Sequence, residues 1–244
     1  MTYIIKSKLQ STLILSIKEF VKAELNGWKR AEVIGLCIVF TIIFVNAIVV
    51  KDSIIAVISA VCGILYSTIA GKGKVSCYIF GLTGTCCYSW LAFDNGLWGN
   101  LALYMCYYFP MQIIGIFAWR KHLKKETAEI IKKQLTFYER LKLSLAALLA
   151  CICAIVLLYY FKDSSPVFDG ITTVLSVFGM YLTVKRCIEQ WIIWMVVNGL
   201  SSLMWLNLVI HGAKTYATFI MWVVYFILAV YFYFCWEKEI GERN

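Results

Sequence analysis

The side chains best equipped to bind something are carboxamides set among aromatic rings inside long apolar runs. Gln190, Trp194 and Asn198 recur at i, i+4 and i+8, a spacing that puts them on one face of a helix. Trp191 and Trp205 flank that face. A second stripe, Tyr104, Tyr108, Gln112, Gly115 and Trp119, has the same helical period. A third begins after Ser164-Ser165-Pro166, where Asp169, Thr172, Thr173 and Ser176 follow one another. A carboxamide both donates and accepts hydrogen bonds, and an indole or phenol face attracts a cation. Together they can hold a flat, polar, aromatic ligand. Each group also has a plainer use. Trp191 and Trp205 suit the anchors of a membrane interface. Trp194, Asn198 and Gln112 suit packing between helices. Asp169 suits compensation of a helix dipole.

Nothing in the sequence assembles into catalytic machinery. There is no Ser/His/Asp or Cys/His set, no pair of acids within an apolar run and no phosphate-binding glycine loop. His122 and His211 fall between the apolar runs, and no Cys/His spacing resembles a zinc site. Most of the ten cysteines lie inside apolar runs, where they serve as small apolar residues. No metal or cofactor is expected.

The elements that must position these groups are eight apolar stretches: 31–50, 53–71, 75–93, 97–119, 143–161, 166–184, 187–209 and 215–236. Each is long enough to cross ~30 Å of hydrocarbon as a helix. Threading them alternately puts 20 of the 23 lysines and arginines on one side, leaving Lys51, Lys162 and Lys214 on the other. The positive-inside rule then predicts both termini in the cytoplasm. The composition agrees: 61% of the residues are hydrophobic and 15% charged, against about a quarter charged in soluble domains. The net charge of +9 follows from the basic loops and calls for no nucleic acid. Residues 1–30 contain six basic residues and no cleavable signal-peptide pattern; they suit an amphipathic helix on the inner leaflet. The 120–142 loop suits a solvated helix or linker, and 237–244 a cytoplasmic tail.

A weak internal repeat sets the architecture. Tyr108–Lys121 resembles Tyr225–Lys238, Trp90 falls on Trp205, and Gly63 falls on Gly179, all at offsets of 115–117 residues. The expected fold is an all-α polytopic membrane protein with two parallel three-helix bundles, 53–119 and 165–236. A linker helix, 143–161, joins them, and 31–50 is an extra N-terminal helix. Gln112 falls on Ala229, so the duplication loses its symmetry at a buried amide. Gly115 falls on the bulky Phe232, which leaves the packing of the last helix open.

Asp169-x-x-Thr172-Thr173-x-x-Ser176, followed by Lys185-x-x-x-Glu189-x-Trp191-x-x-Trp194-x-x-x-Asn198, resembles the PnuC family of bacterial vitamin transporters. So does Gln112-x-x-Gly115-x-x-x-Trp119-Arg120. The resemblance runs from about 50 to 238. It implies facilitated diffusion of nicotinamide riboside across the inner membrane, a fold related to the SWEET sugar transporters, and a cytoplasmic riboside kinase that traps the product. The substrate-binding residues expected from the stripes are Trp194, Asn198, Gln112, Gln190, Trp191, Tyr108, Tyr104, Trp119, Thr173 and Asp169. The expected partners are that substrate, the lipid bilayer and the kinase, and a homo-oligomer is left open. Two other functions stay open: transport of another aromatic vitamin such as thiamine, and a non-transporting membrane sensor or scaffold.

Overall fold

The computed structural model describes residues 24, 26–51, 53–94, 98–124, 127, 129–162, 165–211 and 216–242. Most of the expected N-terminal amphipathic segment lies outside these residues. The helices are α1 (Arg30–Val50), α2 (Ile54–Gly71), α3 (Cys77–Asp94), α4 (Trp98–Ala102), α5 (Phe109–Arg120), α6 (Phe137–Tyr160), α7 (Pro166–Lys185), α8 (Glu189–Ile210) and α9 (Tyr216–Gly241). A π-helical turn, Leu103–Tyr108, joins α4 to α5. It precedes Pro110, which has no N–H to donate to Cys106. The wider turn absorbs that missing bond.

Among the described residues, seven helices are long and apolar enough to cross a membrane. The eighth expected span, α3, has the length at 18 residues but is less apolar. Its inward face carries the buried Gly81, Gly84, Thr85 and Ser89, so it reads as less apolar for the same reason that it lines an interior. The chain is a multi-pass membrane protein. The start of α6 is Phe137, six residues before the expected 143. Thr136 and Glu139 form a capping box there: the Thr136 hydroxyl accepts from the Glu139 amide, and the Glu139 carboxylate accepts from the Thr136 amide at 2.8 Å. This reciprocal pair satisfies otherwise orphaned donors and fixes the helix start.

Six membrane-length members form a closed ring of contacts: α2 with α3, α3 with α4–α5, α5 with α7, α7 with α8, α8 with α9, and α9 with α2. Outside the ring, α6 lies on α7, and α1 lies against α2 and α9. Their outer faces are exposed leucine, isoleucine and valine, among them Ile48, Val49, Leu149 and Val156, as lipid contact requires.

The ring closes at the basic side through paired devices. The turns that end α2 and α7 are built alike: Lys74 N–H donates to Ile69 O at 3.2 Å, and Cys187 N–H donates to Leu182 O at 3.0 Å. Gly73 (φ 71°) and Arg186 (φ 62°) hold the left-handed position in each. Trp119 donates its indole N–H to Thr183 O at 2.9 Å, and Trp236 donates to Gly71 O at 2.7 Å. Each tryptophan is fully buried and meets a ring edge-on: Trp119 with Tyr78 at 5.1 Å, Trp236 with Trp191 at 5.6 Å. Phe232 is accommodated because its ring occupies the space that the missing side chain of Gly71 leaves. Tyr78 of α3 occupies the space over Gly115. The packing of the last helix is thus settled by Gly71 of α2, whose missing side chain seats Phe232.

Among its described residues the segment between α5 and α6 is a linker and not a solvated helix. Glu129–Thr136 runs as an extended strap over the basic ends of the ring, and Ile130 and Lys132 are buried in it.

Candidate functional site

Helical rise sets the depth of each expected binding residue. Measured from the basic ends of their helices at 1.5 Å per residue, Gln112 on α5 and Thr85 on α3 lie about 12 Å in. Ser176 on α7 and Asn198 on α8 lie about 14 Å in. All four are buried. They form a polar layer near mid-membrane supplied by four members of the ring. Polar groups at that depth are costly unless they face an interior.

Gln112 is the centre of the layer. Its Nε2 donates to Thr85 Oγ1 at 2.7 Å. Its Oε1 is buried without a hydrogen-bond partner among the described residues. Gly81 makes room for it: a Cβ there would lie 2.7 Å from that oxygen. A buried acceptor left unmet costs ~1–3 kcal/mol, so Oε1 is a ready point for a ligand donor. Tyr108 lies against Ser176. Tyr107, turned by the π-helical segment toward α7, donates to Val177 O at 2.7 Å.

On the basic side of this layer the ring is filled. Tyr66 of α2 reaches Met180 of α7 at 3.6 Å, joining the two helices. Trp194 packs on Gly179, whose added Cβ would meet the indole at 3.1 Å, and its Nε1 donates to Thr183 Oγ1 at 3.4 Å. Trp194 therefore stands between the filled region and the polar layer. Further down, Trp119, Trp191 and Gln190 belong to the closed end. Trp191 packs against Phe232 and Trp236, and Gln190 is 1% exposed at the start of α8.

On the opposite side the stripes disperse. Tyr104 stacks on Tyr88 at 4.2 Å and meets Tyr108 edge-on at 4.9 Å. Asp169 is half-buried, and Thr173 is exposed rather than turned inward with Ser176. The structure thus brings Gln112, Asn198, Tyr108 and Trp194 to adjacent depths. It separates Trp119, Trp191 and Gln190 below them from Tyr104, Thr173 and Asp169 above. Thr85 and Tyr66 were missed. The small-residue face Gly81-x-x-Gly84-Thr85 was the available signal for Thr85.

The family model described as "Nicotinamide mononucleotide transporter" matches residues 53–238. The "Nicotinamide riboside transporter PnuC" of Neisseria mucosa is 32% identical over 236 residues, covering 95% of this chain and 90% of its own length. That of Haemophilus influenzae is 32% identical over 237 residues, covering 96% of this chain and all of its own. The chain belongs to the PnuC family. A crystal structure of "the Vitamin B3 transporter PnuC" superposes with a TM-score of 0.77 at 32% identity, covering 91% of this chain and 97% of that one.

Set beside this PnuC fold, the asymmetry of the polar layer is specific. The matched turns align at an offset of 113 residues, 74 on 187, rather than the 115–117 read from the sequence. Carried into the following helices, that offset puts Gly81 opposite Trp194 and Thr85 opposite Asn198. Gln112 still falls on Ala229. The repeat, carried along the sequence, thus sets a glycine and a long amide in contact, Gly81 and Gln112, against a tryptophan and an alanine, Trp194 and Ala229.

Proposed function

We propose that this transporter carries nicotinamide riboside by facilitated diffusion through the ring, with its basic side in the cytoplasm. Both termini then face the cytoplasm, and the membrane is the bacterial inner membrane. The observation that carries the reading is the unpaired Gln112 Oε1 in a buried polar layer that also holds Asn198 and is bordered by Trp194. Nicotinamide riboside is a flat pyridinium cation with a carboxamide and ribose hydroxyls. Trp194 stacks on the ring, an attraction of ~0.5–2 kcal/mol depending on desolvation. Gln112 and Asn198 pair with the polar groups. Tyr108 and Ser176 border the same depth, and Asp169, nearer the opposite side, draws the cation toward the mouth. The chain acts as a carrier and not as an enzyme, and a cytoplasmic riboside kinase traps the product.

The family description names the mononucleotide and the relatives name the riboside. The riboside fits better, because no lysine or arginine lies within the eight apolar stretches to meet a phosphate. The ring follows from two parallel three-helix units, α2–α5 and α7–α9, joined by α6. The matched turns and the two tryptophan hydrogen bonds support that arrangement.

The test is uptake of labelled nicotinamide riboside, nicotinamide mononucleotide and thiamine into proteoliposomes without an imposed gradient. Riboside equilibration with little mononucleotide or thiamine entry is expected. Accumulation only under a proton or sodium gradient would overturn passive transport, and preferential thiamine entry would overturn the substrate. Gln112→Ala and Asn198→Ala should each weaken binding by roughly 5- to 150-fold, from ~1–3 kcal/mol per lost hydrogen bond. Wild-type affinity in both, by titration calorimetry, would move the site elsewhere.

A further inference from the structure

The strap Glu129–Thr136 is held to both sides of the ring's basic opening. On one side Ile130 N–H donates to Gly73 O at 2.8 Å, in the turn after α2. On the other, Lys133 N–H donates to Arg186 O at 2.8 Å, and Ile188 N–H donates to Lys133 O at 2.9 Å. The Arg186 guanidinium also donates to Ile131 O at 3.1 Å. Between these attachments the side chains alternate, with Ile131 and Lys133 outward and Ile130 and Lys132 turned into the protein. Ile130 is fully buried, and Lys132 is 3% exposed. The Lys132 ammonium pairs with Glu239 near the end of α9 and lies 5.1 Å over the Trp236 ring. Trp236 is in turn the residue that ties α9 to Gly71 of α2.

We propose that this strap is the cytoplasmic gate of the carrier, with the Lys132–Glu239 pair as its latch. The inference rests on the transport reading, since a gate presupposes a solute path. Its physical basis is geometric. The turns after α2 and α7 are joined through one short extended segment, so they cannot part by more than a few ångströms while the strap keeps both sets of bonds. Alternating access moves one half against the other around a central site. Opening this side therefore requires the strap to leave at least one half. The Lys132–Glu239 latch ties the strap to α9, on the same half as the Arg186–Ile188 turn, so its release lifts the strap from that turn while the bonds of Ile130 to Gly73 and of Ile131 to His122 hold it to the other half.

The latch differs from an ordinary surface ion pair. Glu239 is 36% exposed and keeps contact with water, while Lys132 does not. Burial holds the Lys132 ammonium below its usual value, with the Glu239 carboxylate opposing that shift. Removing Glu239 takes away the largest charge that opposes the burial of the Lys132 ammonium, which favours the lifted strap in which water hydrates it. Removing both charges restores a closed strap with an apolar filling. Removing Lys124, which meets Glu239 at 3.6 Å in an exposed pair, should change nothing.

Cys187 is the built-in reporter. It is 3% exposed in the turn bonded to the strap. Burial, with the neighbouring Glu189 charge, pushes its thiol up to about 11. A closed strap thus suppresses both access and thiolate formation. The experiment is peptide-resolved maleimide labelling of the full chain in inside-out vesicles without substrate. Glu239→Ala should label Cys187 at least about tenfold faster than wild type, since the buried ammonium loses its main opposing charge. Lys132→Met/Glu239→Ala and Lys124→Ala should stay near the wild-type rate. Cys62, buried on α2 away from the strap, should stay protected in all of them. Wild-type labelling of Cys187 in Glu239→Ala overturns the latch, as does failure of Lys132→Met to restore protection. Faster labelling of Cys62 alongside Cys187 marks general loosening and also counts against it. The readout needs no solute. A strap that lifts as described in a protein that does not carry nicotinamide riboside would refute the transport reading and leave the strap's motion standing.

Discussion

Gly71→Ala tests how the two halves of the ring are joined. A Cβ at Gly71 would overlap three atoms of the Phe232 ring. Carbon atoms pack best at ~3.5–4 Å, so ring and helix must separate by on the order of 1 Å. Phe232 cannot yield alone, because it is 1% exposed and lies 5.5 Å from the Trp191 ring. Overpacking of this kind costs ~1–3 kcal/mol. The same residue's carbonyl accepts from Trp236 at 2.7 Å, and weakening that bond adds ~0.5–1.5 kcal/mol. The combined loss of about 1.5–4.5 kcal/mol corresponds to a fall in melting temperature of roughly 3–18 °C for a domain of this size. Thermal unfolding of purified protein measures it. Phe232→Val alone should also destabilise, by opening a cavity. The double variant should lose at least ~1 kcal/mol less than the sum of the singles, because residues in contact couple. Additive losses, or a Gly71→Ala protein as stable as wild type, would refute the account of how Phe232 is seated.

Trp119→Phe removes the indole donor to Thr183 O across the other seam and should cost ~1–3 kcal/mol in thermal unfolding, with substrate affinity changed less than by Gln112→Ala. Thr136→Ala breaks the capping box of α6; about 1 kcal/mol of local stability should be lost, seen as faster hydrogen exchange in its first turn. Arg140→Ala removes the 2.8 Å partner of the largely buried Glu189. Glu189 keeps the Leu135 amide at 3.0 Å, so a modest loss of ~1 kcal/mol is expected, read as a small fall in melting temperature.

The sequence by itself determined the class of this protein and the position of most helices. Long apolar runs have one solution in lipid, since every backbone group must be satisfied within a helix, and basic residues gather where they need not cross. It also singled out Gln112, Trp194 and Asn198, because a polar group at such depth stands out against its neighbours. Two local signals were legible but unread: the Thr136-x-x-Glu139 box that starts α6, and the consequence of Pro110 for the turn before it. What only the tertiary structure decided are the matters of register and pairing. The repeat offset shifts from 117 at the paired tryptophans to 113 at the turns, because helix lengths and a π-helical turn differ between the halves. Identity of residue type cannot track such shifts. Which stripe residues share the polar layer depended on where each helix starts and on its rotation, so Trp191, in the first turn of α8, went to the closed end and Thr173 to an exposed face. The strap was illegible for the same reason. Ile130 and Lys132 sit in a charged, loop-like stretch and are buried only because the ends of six helices, assembled from distant parts of the chain, leave that opening to be covered.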